Sequence, residues 1–157
     1  SFWATSMNRI VFRYADVLLE RAEAYAQLGM SSEAISLVNQ IRSRAAASTQ
    51  MISNYPSRYG VKFYCKNYTG SYDKEQTLQI VKMERRLELA MESERFFDLV
   101  RWGEAAETLN NYYAVEKTKC TVYGEAEFTA NKGEYLPIPF AQVAASNGHY
   151  TQNIGNW

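Results

Sequence analysis

The sequence predicts a mainly α-helical fold: tetratricopeptide-like helix pairs joined by long irregular loops, with an irregular C-terminal tail. Three observations carry this. Apolar residues recur at spacings of three and four over residues 11–45, broken once by glycine and serine. A second amphipathic run begins at Asp73, where the local chemistry is that of a helix start. Pro137 and Pro139 exclude a regular helix from the tail, because proline removes an amide donor and clashes with the preceding turn.

The first helix spans 11–28, with Ala15, Leu18, Leu19, Ala22, Tyr25 and Ala26 on its apolar face. Gly29 stops it, since glycine takes the left-handed conformation that closes a helix end. Ser31 caps the second helix and Glu33 lies in its first turn, where a negative charge meets the positive helix end. Ala34, Leu37, Val38, Ile41 and Ala45 form its stripe. A connection this short forces antiparallel packing, and the alanines on both stripes permit close approach. The result resembles one tetratricopeptide-like pair.

Residues 48–72 change character. Helical periodicity stops, and Pro56, Gly60 and Gly70 punctuate a segment crowded with tyrosine. Its aromatic content opposes disorder, so it reads as a long ordered insertion loop with a short strand at 61–65. Asp73 and Gln76 then make a capping box for the third helix, whose predicted buried face is Ile80, Met83, Leu87, Ala90 and Met91. That helix either runs on through Trp102 or breaks near Ser93. A further helix is expected at 104–113, a strand at 118–123, and no regular structure from 134 to 157.

Composition excludes several functions. Seventeen basic side chains balance seventeen acidic ones, which removes the basic excess that nucleic acid or anionic lipid requires. No apolar run approaches the ~20 residues of a membrane-spanning helix. Gly-rich phosphate loops, paired CxxC, HExxH and GxSxG are all missing, and the single histidine, His149, reads as a surface residue. No metal or other cofactor is therefore expected. Cys65 and Cys120 leave two readings open: a disulfide, or two half-buried free thiols.

The third helix carries a dense charge cluster. On a wheel of ~100° per residue, Glu84, Glu88, Glu92 and Arg95 share a stripe beside the apolar face, a solvated or edge-lining position. Glu94 and Arg101 fall within the apolar stripe if the helix is unbroken, and burial there demands partners. The expected structural network joins Arg13, Asp16, Glu20 and Arg44 of the helix pair with Glu84, Glu88, Glu94, Arg95, Asp98 and Arg101. A competing reading uses Glu84, Glu88 or Glu92 as the carboxyl pair of a carbohydrate-active enzyme. Ion pairing is the commoner reason for such a cluster, so no catalysis is expected.

Four stretches, in order, resemble the C-terminal region of the SusD/RagB family. The first runs Arg13-Tyr14-Ala15-Asp16-Val17-Leu18-Leu19, followed by Ala22-Glu23-Ala24. The second runs from Ala34 through Asn39 to Ile41-Arg42-Ser43-Arg44-Ala45. The third is Glu84-Arg85-Arg86-Leu87-Glu88-Leu89-Ala90, with Arg95-Phe96-Phe97-Asp98-Leu99 and Arg101-Trp102-Gly103. The fourth is Leu136-Pro137-Ile138-Pro139 with Gln152-Asn153. Ile154 stands where the family usually has proline, and the family's acidic residue after the prolines is missing.

The resemblance implies that residues 1–157 are a C-terminal SusD/RagB-like domain of a larger protein, with 48–72 as its insertion loop. It implies an outer-membrane lipoprotein facing outward, held by an N-terminal lipid anchor that this chain lacks. Its implied partners are a TonB-dependent SusC-like transporter and an oligosaccharide or other nutrient, bound without catalysis. A protein- or peptide-binding helical-repeat module is the alternative. Sugars offer C–H faces to aromatic rings and a hydroxyl rim to amides and guanidinium groups. On that chemistry the candidate contacts are Tyr55, Arg58, Tyr59, Tyr64, Asn67 and Tyr68, all within the insertion loop.

Overall fold

The computed structural model describes residues 10–48 and 64–154. Its regular structure is helical throughout, with no strand among the described residues. The chain divides into two compact units, residues 1–92 and 93–157.

The first unit contains α1 (Tyr14–Gln27), α2 (Ser31–Ala47) and α3 (Lys74–Glu88). Helix α1 ends in a Schellman motif: Gly29, at φ +77°, donates to Ala26 O at 3.0 Å and Met30 donates to Tyr25 O at 2.8 Å. The turn lets α2 fold back on α1 as a tetratricopeptide-like pair. Ser31 is the first residue inside α2 rather than its cap, and Met30 holds the cap position without a side-chain hydrogen bond. The Ser31 hydroxyl instead meets Thr77 Oγ1 on α3 at 2.9 Å. Asp73 and Gln76 form the expected capping box at the start of α3, with bonds of 2.8 and 3.1 Å.

One core unites the three helices. Leu18, Leu19, Ala22 and Ala26 of α1 meet Ala34, Val38 and Ile41 of α2 and Leu78 and Val81 of α3. Leu19, Val38 and Val81 have no exposed surface, each burial stabilising by about 1.5–3 kcal/mol.

The face that α3 buries differs from the expected one. Thr77, Leu78, Val81, Glu84 and Arg85 point inward. Met83 and Leu87 are about half exposed, Ala90 is exposed, Met91 is fully so, and Ile80 is partly buried against the core. Two motif charges on the inner face, Glu84 and Arg85, meet opposite charges there, and this offsets their desolvation and turns the methionines outward.

The third helix does not run on. It stops at Glu88, and Met91 (φ +69°) and Ser93 (φ +71°) adopt left-handed backbone before α4 (Glu94–Arg101) begins. Because side chains with a Cβ rarely enter that region, two such residues so close together end the helix.

In the second unit, α4 closes on another Schellman motif: Gly103 (φ +72°) donates to Val100 O at 3.0 Å, and Glu104 to Leu99 O at 2.8 Å. Helix α5 (Ala105–Glu116) follows. Leu99, Ala105 and Phe128 make the buried core, with Val100, Ala106, Leu109 and Tyr113 against it. Gly133 must be glycine, as a Cβ there would come within 2.6 Å of the Phe128 ring. The strand expected at 118–123 is instead a turn followed by a 3-10 helix at Thr121–Tyr123. Tyr123 stacks on Tyr113 at 6.0 Å, and the hydrogen bond that the Tyr112 phenol shares with the Tyr123 side chain, by favouring its protonated form, holds it above its ordinary pKa. The tail is less irregular than expected. Pro139 stands at the N-cap of a short helix, α6 (Phe140–Ala145), where its missing N–H costs nothing.

Candidate functional site

Segment 64–72 lies along the outer face of α2, held by residues one helical turn apart. The Asn39 amide grips Tyr68 as a neighbouring strand would: its nitrogen donates to Tyr68 O at 2.9 Å and its oxygen accepts from Tyr68 N at 2.8 Å. Arg42 donates to Lys66 O at 2.6 Å, and its guanidinium lies over the Tyr68 ring, 4.8 Å from the centroid. Ser43 bonds the Asn67 amide at 3.1 Å.

A cleft of about 280 Å³ results. Ser31, Ser32 and Ile35 of α2 form one wall and residues 68–72 the other. The rings of Tyr68 and Tyr72 stand 5.9 Å apart at 88° to each other, making a corner. The Gly70 amide donates to the Tyr72 hydroxyl at 3.3 Å. A Cβ at Gly70 would lie 3.0 Å from that oxygen, so glycine admits the ring.

Of the six residues proposed from sequence, Tyr55, Arg58 and Tyr59 lie outside the described residues. Tyr64 is 80% exposed, and Asn67 and Tyr68 are fastened to α2. Sequence reasoning passed over Tyr72, Thr69 and Ser71 and treated Ser31 only as a cap. The run Tyr68-Thr69-Gly70-Ser71-Tyr72, with a hydroxyl on every residue but glycine, was the available signal.

The charged residues form a separate system. Glu88, whose side chain is 8% exposed, accepts from both Arg13 and Arg44, the latter at 2.6 Å. Arg13 also reaches Glu92 at 2.6 Å, a bond that raises its guanidinium above the ordinary value. Arg42 pairs with Glu84 at 2.7 Å. Arg85 Nη1 is 2.9 Å from Asp16 Oδ1, opposite charges in contact without hydrogen-bond alignment between these two atoms. Asp98 pairs with Arg101 one turn along α4 at 2.9 Å.

This arrangement departs from the expected one in several places. Glu84 and Glu88, expected at a solvated or edge-lining position, are turned inward toward Arg42 and Arg13. Arg13, Asp16 and Arg44 meet residues 85–92, whereas Arg101 pairs on its own helix. Arg95 lies 5.8 Å from the Trp102 ring. Glu20 is exposed on α1 and Glu94 opens α4; neither has an ion-pair partner among the described residues. Arg42 and Arg85 were absent from the expected network, although both stand within the sequence motifs. Arg13 and Arg44 also border a second cavity of about 340 Å³ with Tyr14, Leu18 and Ile41, but Glu88 already engages both cations.

The pairs thus join three motif blocks to one another, and the fourth block behaves similarly. Gln152 donates to Ile138 O at 2.9 Å and accepts from Ile138 N at 2.7 Å, and Asn153 reaches Leu136 O. The model of the SusD family matches residues 1–157. The chain belongs to the SusD family. SusD-like protein P38 of Formosa agariphila is 40% identical over 102 residues, 65% of this chain and 18% of that protein. SusD-like protein P2 of the same organism is 29% identical over 96% of this chain and 26% of the relative. A SusD homolog from Bacteroides thetaiotaomicron shares the fold, with a TM-score of 0.67 at 24% identity over 99% of this chain and 30% of that one. The chain therefore spans about a fifth of the length of the first of these SusD-like relatives and under a third of the others.

Proposed function

We propose that this chain is the C-terminal, helix-pair part of a longer non-catalytic protein that captures glycans or other nutrients at the bacterial surface. In this reading the protein passes its ligand to a TonB-dependent transporter of the SusC type. Residues 48–72 are an inserted loop that carries ligand contacts. Among the described residues no helix is long and apolar enough to cross a membrane, and a lipid anchor elsewhere in the protein would hold it at the outer membrane.

The observation that carries this reading is the separation of charge from cleft. Glycoside hydrolysis needs two carboxyl groups flanking the bond to be broken. Among the described residues no carboxylate lines the Tyr68–Tyr72 cleft. Glu84, Glu88 and Glu92, the acids that would be catalytic, are engaged by Arg42, Arg13 and Arg44. Rings and hydroxyls remain, which bind sugars without acting on them.

The test is isothermal titration of the longer protein against oligosaccharides, with product analysis by chromatography, alongside co-purification from outer membranes. Binding without hydrolysis, and recovery of a TonB-dependent transporter, are expected. Hydrolysis abolished by Glu84→Gln or Glu92→Gln in a folded protein would overturn the non-catalytic reading. Capture of peptides and no glycan would replace the ligand class.

A further inference from the structure

We infer that the cleft between α2 and residues 68–72 is a subsite for one uncharged pyranose ring. The inference rests on the glycan-binding reading and deepens it, because it fixes both the place and the charge class of the ligand.

Shape comes first. Small-molecule pockets run from roughly 300 to 1,000 Å³, and this cleft, at about 280 Å³, has room for one ring rather than several. Its two tyrosine rings are perpendicular, 5.9 Å apart. A pyranose laid against one ring by its C–H face presents its edge to the other, which is the geometry a flat molecule with an apolar face and a polar rim requires.

The polar groups are of one kind. Ser32, Thr69 and Ser71 are hydroxyl residues of the lining, and so is Ser31, whose hydroxyl already accepts from Thr77 Oγ1. A hydroxyl both donates and accepts, and so does each hydroxyl of a neutral sugar, so either partner can rotate to satisfy the other. A carboxylate or sulfate only accepts, and is held best by cations. Among the described residues no carboxylate, ammonium, guanidinium or imidazole lines the cleft. The guanidinium that lies over the Tyr68 ring, that of Arg42, is already engaged by Glu84 and Lys66 O. Among the described residues Ile35 is the single aliphatic wall, too little for an apolar peptide side chain to anchor on.

The cleft is also built in advance. Asn39 fixes the Tyr68 backbone, and Tyr72 sits one residue before the capping box that starts α3. Ordering these groups therefore adds little to the cost of binding.

Chemical-shift mapping on the labelled chain tests this, using maltohexaose, xylohexaose and mannohexaose against hexagalacturonate. At least one neutral probe should shift the amides of Ser31, Ser32 and residues 68–72, and hexagalacturonate should leave them unmoved. Tyr72→Ala should weaken the neutral probe's Kd about tenfold, as loss of a central aromatic contact does, and Tyr72→Phe less. Should Tyr72→Ala disturb the far-ultraviolet circular dichroism, Ser32→Trp at an exposed position blocks the cleft from outside and carries the same expectation. A preference for hexagalacturonate, no shift with any probe, or neutral binding untouched by the variants would overturn the subsite. Glycan capture by the longer protein that ignores these variants would overturn the subsite alone, whereas no glycan capture at all would overturn the proposed function with it.

Discussion

Arg85 is a guanidinium whose side chain keeps 2% of its surface, set beside an Asp16 carboxylate that keeps 8%. Removing two charges from water is costly, and close contact between them offsets that cost only while both are present. Replacing Arg85 by methionine leaves Asp16 buried alone, and we expect a loss of about 3–5 kcal/mol in urea unfolding. The double replacement Arg85→Met with Asp16→Leu should recover most of that loss, since well-packed apolar pairs often match buried ion pairs. If the double variant is as unstable as the single one, the pair contributes through packing rather than charge. The sequence shows these charges but not which of them pair. A helical wheel assigns charged residues to water by default, and the buried positions of Glu84 and Arg85 depend on Arg42 and Asp16 arriving from other helices. Periodicity within one helix carries no such information.

At the scale of elements, one device recurs. Asn39 clasps the backbone of Tyr68, Asn110 that of Phe128 and Gln152 that of Ile138, each amide donating to the carbonyl and accepting from the N–H of one residue. Each clasp satisfies a loop residue's backbone without a strand partner, which is how long loops stay ordered in a protein with no described sheet. Asn39→Asp keeps the acceptor but turns a carboxylate oxygen toward Tyr68 O. The expected cost is about 1–3 kcal/mol, with faster hydrogen exchange at the Tyr68 amide and across residues 64–72 while α1 is unchanged. Unaltered exchange at Tyr68 would show that Arg42 and Ser43 suffice to hold the loop. Local chemistry made the helices legible: the Gly29 stop, the Asp73–Gln76 box and the α1 and α2 stripes all follow from near neighbours in sequence. The clasps span 14 to 29 residues and the cleft joins positions 31 and 72, so neither could be read from a local pattern.

For the whole molecule, the two units differ in what holds them. Among the described residues the first buries ten apolar side chains in a core shared by three helices, reinforced by ion pairs from α1 and α2 to α3 and to the turn that follows it. The second buries three, around Phe128, and leans on short turns and the Gln152 and Asn110 clasps. Stability follows buried apolar surface and is not uniform along a chain, so sub-global opening takes the less buried unit first. Native-state hydrogen exchange under mild urea should show the amides of α4 and α5 opening at a lower free energy than those of α1, α2 and α3. Gly133→Ala, which drives a Cβ into the Phe128 ring, should widen that gap by loosening the second unit alone. A single opening free energy for all five helices, lowered equally by Gly133→Ala, would mean that the chain unfolds as one cooperative body and that the small core is not its weak point.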